Sequence, residues 1–141
     1  MKVSYVKEFN KTLYKNEIRA LLEDCRRIRD ALSLKSWDIT ISLATTCAAD
    51  TEVDHPTLAQ TNALSCYRSA TVTFYIPQMV LHKENFRETA IHEFLHIALS
   101  PYTDAVELAA DAPFHPILIH SEEQLVTILE RMPLWDSIFE G

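Results

Sequence analysis

Residues 89–99 read TAIHEFLHIAL, an apolar run broken only by His92, Glu93 and His96. No run of this kind survives in a polar loop, so the chain must place these three groups on a buried helix and find partners for them. His92 and His96 are four residues apart and therefore share a helix face, with Cβ atoms about 5 to 6 Å apart. Two imidazole nitrogens can then converge on one metal ion at roughly 2.0 to 2.1 Å each. Glu93 is turned about 100° from that face, within reach of a water on the open side of the ion and not itself a ligand. Zn²⁺ suits two neutral imidazoles and a carboxylate, and Glu93 is placed to act as general base. A lone core histidine needs no such arrangement; two at this spacing, with a glutamate between them, are poorly explained as core residues.

The rest of the chain is read around that helix. With 141 residues, 48% of them hydrophobic, the expectation is one domain over residues 1–141 with a core of its own. No apolar run of about 18 residues is present to span a bilayer, and the N-terminal stretch lacks the apolar centre of a secretory signal. A cytoplasmic protein is expected, in the host cytoplasm if virally encoded. Cys25, Cys47 and Cys66 are odd in number and widely spaced, so buried free thiols are expected in place of a disulfide framework or a zinc ribbon. The net charge of −7 argues against a nucleic-acid partner. The one basic cluster, CRRIRD at 25–30, is expected to be a solvated helix face.

From Asn16, the residues Ile18, Leu21, Leu22, Cys25, Ile28 and Leu32 recur at three- and four-residue steps, which predicts an amphipathic helix ending near Ser33. WDITISL alternates apolar with polar side chains as a half-buried strand does. ATTCAADTEVDHPT is a polar loop, and a weaker extended segment is expected over 58–66. ATVTFYI predicts a second strand over 70–76, closed by Pro77. The motif helix is expected from near Glu84 to about Pro101. A further helix is expected from Ser121, a good N-cap with Gln124 three residues on. Trp37 and Trp135 are read as packing residues, and His55 and His82 are placed in loops. The fold class is therefore α+β, with a small mixed or antiparallel sheet.

The stretch TAIHEFLHIAL resembles the extended signature of the zincin metallopeptidases. In that family uncharged positions surround HExxH, and Thr or Val commonly stands three residues before the first histidine, as Thr89 does. The element order, with a W-x-I-x-I strand at WDITI, is similar to that of minimal zincin domains, including those carried by bacteriophages. The resemblance extends over residues 16–133 as architecture but only over 89–99 as a specific motif. It implies a zincin-like fold, hydrolysis of peptide bonds, His92 and His96 as zinc ligands and Glu93 as general base. The metzincin pattern is excluded, because Leu99 and Tyr102 stand where it needs Gly and His.

Two histidines leave zinc under-coordinated. In the gluzincin subgroup a glutamate of the next helix supplies the third ligand, which points to Glu123, with Glu122 as the alternative. Asp104, Asp111, His115 and His120 remain further candidates, read first as loop or surface residues. Tyr102, His115 and His120 are candidates for stabilising an oxyanion, as tyrosines and histidines do in other zincins. The implied partner is a protein or peptide segment bound in extended conformation along a sheet edge, and ATVTFYI is either that edge or an interior strand. The alternative reading is a non-catalytic, regulatory metal-binding or protein-interaction module on the same fold. Oligomeric state has no signature in the sequence.

Overall fold

The computed structural model describes residues 1–45, 57–109 and 115–140, with the side chains of residues 109 and 115–118 outside that description. Alternation decides the middle of the sheet. Strand β2 (Asp38–Ala44) buries Ile39, Ile41 and Leu43 and leaves Thr40 and Ser42 half-buried on the other face. Strand β4 (Ser69–Tyr75) does the same with Ala70, Val72 and Phe74. Both strands therefore turn one apolar face toward the helices.

Two shorter strands complete a mixed sheet. Strand β1 (Lys2–Tyr5) runs parallel to β2, and β2 runs parallel to β4. Strand β3 (Ala59–Leu64) is antiparallel to β4, with Ala63 opposite Ala70 and Thr61 opposite Val72. The strand order β1-β2-β4-β3 makes β4 an interior strand and β3 an edge. A single 3₁₀ turn, Ser65–Tyr67, and Arg68 in the left-handed region (φ 48°) close the β3–β4 hairpin.

Helix α1 (Lys15–Ala31) buries Ile18, Leu21, Cys25 and Ile28, the stripe expected from the three- and four-residue steps. It ends where Ser33 turns left-handed (φ 57°) and the Leu34 N–H bonds back to the Arg29 carbonyl, a helix stop usually given to glycine. The basic cluster is solvated and paired: Arg26 and Arg27 both meet Glu23, and Arg29 meets Asp30. Cys25 is fully buried, and burial first, then the neighbouring Asp24, pushes its thiol pKa far up. Cys66 is exposed, contrary to the expectation of buried thiols, and Cys47 lies outside the described residues.

Helix α2 (Ile76–Leu81) follows β4 directly, with Pro77 in its first turn, so Ile76 belongs to a helix and not to the strand end. Helix α3 (Phe86–Ala109) carries the motif and continues through Pro101 for two further turns. The expected stop at Pro101 is thus corrected, and the reason is local. Pro101 has no N–H for the Ile97 carbonyl, but the hydroxyl of buried Ser100 donates to that oxygen at 2.8 Å. Helix α4 (His115–Glu130) begins six residues before Ser121, which is therefore an interior residue and not an N-cap. Helix α5 (Leu134–Glu140) buries Trp135, whose indole N–H donates to the Leu129 carbonyl.

The core is one cluster joining α1, the inward faces of β2 and β4, and Ala90, Ile91, Phe94, Leu95 and Ile97 of α3. Trp37 packs on its margin. No described helix is long and apolar enough to cross a membrane. The polar loop expected around ATTCAADTEVDHPT, with His55 and Pro56, falls almost wholly outside the described residues.

Candidate metal centre

The site forms where α3 passes between β3 and α4. One side of α3 packs Ala90, Phe94 and Ile97 into the core, which turns His92 and His96 toward α4. Their Nε2 atoms lie 3.3 Å apart. From α4, Glu123 places Oε1 2.8 Å from His96 Nε2 and Oε2 3.4 Å from His92 Nε2. These three residues form a group whose ligand atoms lie within 4.8 Å of one another.

The outer nitrogens are held separately. His92 Nδ1 is 3.0 Å from Glu130 Oε2, and His96 Nδ1 is 2.8 Å from Glu122 Oε1. A carboxylate only accepts, so each pair is satisfied by the tautomer that carries its proton on Nδ1. With both imidazoles neutral, that tautomer leaves the two Nε2 lone pairs facing each other and the Glu123 carboxylate: three acceptors with no donor among them. A cation resolves that deficit. For ligand bonds of roughly 2.05 Å, tetrahedral geometry sets ligand atoms about 3.3 Å apart, which is the spacing observed between the two imidazoles. The donor set of two nitrogens and one carboxylate, each imidazole backed by a carboxylate, fits Zn²⁺.

Glu93 lies beside this cluster and not in it. It is only 7% exposed. The Thr61 hydroxyl of edge strand β3 donates to its carboxylate and also lies 3.1 Å from its backbone oxygen. Burial raises the Glu93 pKa above its ordinary value; the Thr61 hydrogen bond, His96 and His92 oppose that rise, and Glu123 adds to it. Thr61 reaches Glu93 because it shares the inward face of β3 with Ala59 and Ala63, while Gln60, Asn62 and Leu64 are exposed on the other face.

A cleft of about 370 Å³ opens on the His96 side of Glu93, between β3 and α4, with Ser100, Thr103 and Asp104 along its far wall. A second hollow of about 410 Å³ continues on the His92 side toward Thr57 and Leu58, lined by Glu84, Glu88, Glu130 and Arg131. Glu93 and Ala59 line both, so the two form one trough across the site.

Of the residues read from the sequence, His92, His96, Glu123, Glu122 and Glu93 come together. Glu122 meets the outer nitrogen of His96 and not the point where the three ligand atoms converge. Asp104 lines the cleft as the acceptor of a hydrogen bond from Ser65 and stands apart from the imidazoles. Tyr102 is 72% exposed and is not among the residues lining the trough. His120 is exposed and borders a shallow apolar surface hollow with Glu123 and Ile128. Asp111 and the side chain of His115 lie outside the described residues. Two members of the site have no counterpart in the sequence reading, Glu130 and Thr61. Glu130 stands seven residues after Glu123, two helical turns along one face, and that spacing is a signal that could have found it. Compared with protein-family models, curated proteins and solved structures, the chain matches none.

Proposed function

We propose that this chain is a zinc-dependent metallopeptidase, with His92, His96 and Glu123 as ligands and Glu93 as general base. The observation that carries this reading is the convergence of two Nε2 atoms, 3.3 Å apart, and one carboxylate on a common point, with a buried, separate glutamate beside them. When bound, zinc supplies Lewis acidity to a substrate carbonyl and to water. Glu122 and Glu130 fix the tautomer and the angle of the two imidazoles. Glu93 takes the proton of the attacking water on its carboxylate and returns it to the amide nitrogen of the departing half. Burial suits it to that cycle, because a carboxylate with a raised pKa holds a proton more readily than one in water. The substrate lies extended along β3, the end strand of the described sheet, in the manner of main-chain pairing at a sheet edge. Pairing of that kind gives affinity for peptide backbone whatever its side chains.

Elemental analysis of the wild type and five variants tests the assignment. Wild type should hold one zinc per chain. His92→Ala, His96→Ala and Glu123→Gln should lose it. Glu122→Gln should still reach one zinc at saturation, with affinity lower by roughly 10- to 100-fold. Glu93→Gln should retain zinc and lose hydrolysis of a broad peptide library by about 10²- to 10⁴-fold. Full zinc retention in both histidine variants would remove the centre, and wild-type turnover in Glu93→Gln would remove the mechanism.

A further inference from the structure

We infer that the trough selects a cationic substrate, an extended segment bearing Lys or Arg on both sides of the scissile bond. This rests on the reading of the trough as the path of an extended peptide. The trough carries seven carboxylates and, in Arg131, a single guanidinium. Four of the carboxylates serve the centre: Glu93, Glu122, Glu123 and Glu130. With the imidazoles neutral, seven negative charges against one guanidinium and one dication leave a net charge of −4. Metal binding therefore does not neutralise the trough: the centre itself keeps −2, and residues with no part in it, set against Arg131, carry the other −2.

Those residues are Asp104 in one half and Glu84 and Glu88 in the other. Strand β3 and helix α3 run side by side in the same direction, since Thr61 meets Glu93 and, further along both, Ser65 meets Asp104. Asp104 lies eleven residues beyond Glu93, about 16 Å along the helix, and Ser65, which follows the end of β3 at Leu64, lies four residues beyond Thr61, about 13 Å of extended chain. A peptide paired with the β3 edge would therefore pass Asp104 about four residues from the scissile bond. Glu88 precedes Glu93 by five residues, about 7.5 Å of helix, which corresponds to about two residues of extended chain on the other side. The hydrogen bond from Ser65 fixes Asp104 at the cleft wall, so that carboxylate is held ready and is not a freely moving surface charge. Acidic side chains at either place would meet like charge in a partly enclosed trough.

The test uses three otherwise identical decapeptides with Lys, Gln or Glu at the two flanking places, titrated into the zinc-loaded Glu93→Gln full chain and also incubated with zinc-loaded wild type. The Lys peptide should bind at least about tenfold tighter than the Glu peptide, with Gln between them and the spread shrinking as salt is raised. Asp104→Asn and Glu88→Gln should each narrow that spread roughly two- to fivefold, as expected for exposed ion pairs, with zinc content unchanged. Equal binding of the three peptides overturns the inference, whether binding is tight or undetectable, and so does a preference that survives both substitutions. Wild type cutting all three alike would leave hydrolysis standing and remove the charge selectivity. Lys-selective binding with no cutting by zinc-loaded wild type would keep the selectivity and remove the hydrolytic reading.

Discussion

Thr61 ties the sheet edge to the proposed base. Its hydroxyl donates to the Glu93 carboxylate from the same strand that would pair with substrate. That bond holds the carboxylate in place at the bottom of a pocket where burial alone would favour the protonated, unaligned form. Thr61→Val keeps the shape of the side chain and removes only the donor. A hydrogen bond to a charged group is worth about 1.5 to 3 kcal/mol, so kcat should fall roughly ten- to hundredfold. KM and zinc content should stay near wild type, and Thr61→Ser should recover most of the loss. Unchanged kcat in Thr61→Val would mean that Glu93 is aligned by the helix alone.

At the scale of the element, α3 is continuous because two neighbouring side chains compensate each other. Pro101 removes a donor from the Ile97 carbonyl, and Ser100 supplies one. Ser100→Ala should leave a buried oxygen unpaired and cost about 1 to 3 kcal/mol. In a Pro101→Ala background the backbone N–H returns, so the same substitution should cost much less. Denaturant midpoints of the two single variants and the double variant measure this coupling, and simple additivity would refute it. The same pair shows what the sequence could and could not tell. Helix α1, strands β2 and β4 and the start of α3 were legible because their periodicity reports burial directly. The far half of α3 was not, since a proline reads as a stop and a hydroxyl bonded to the preceding turn leaves no pattern. Strand β1 is exposed at all four residues and so has no alternation to read. The six-residue helix α2 is too short to show a face. Ser121 and Gln124 have the spacing of a cap, but the helix had already begun. Which glutamate of α4 meets the two Nε2 atoms depends on how α4 crosses α3, a property of packing that neither helix encodes alone. The motif named three residues of the site, and the packing of α4 and β3 supplied the rest.

For the molecule as a whole, the described part of α4 is attached less through apolar burial than α1 is. Where α1 buries four apolar residues, the described part of α4 fully buries only Val126, while Ile119, Leu125 and Ile128 stay exposed. Leu129 packs half-buried against the core, and the carboxylates of Glu122, Glu123 and Glu130 tie α4 to the two imidazoles of α3. A metal ion held between Glu123 and the histidines would therefore act as the fastening between this helix and the body of the protein. An ion that binds only the folded form stabilises it by RT ln(1 + [L]/Kd), about 4 kcal/mol at a thousandfold excess over Kd. Here the effect should be concentrated in one element, because the sheet and α1 close their core without the site. Chelation should raise amide hydrogen exchange across residues 119–130 by one to two orders of magnitude, by rough conversion of 1.4 to 2.8 kcal/mol of local stability. Exchange in α1, β2 and β4 should change little. Restoring zinc should reverse the effect in wild type, and His96→Ala should resemble the chelated state with or without added metal. Uniform loosening of the whole chain would show instead that the centre supports the entire fold. No change in α4 would show that Val126 and the imidazole–carboxylate pairs hold the helix without an ion, and would count against the metal centre itself.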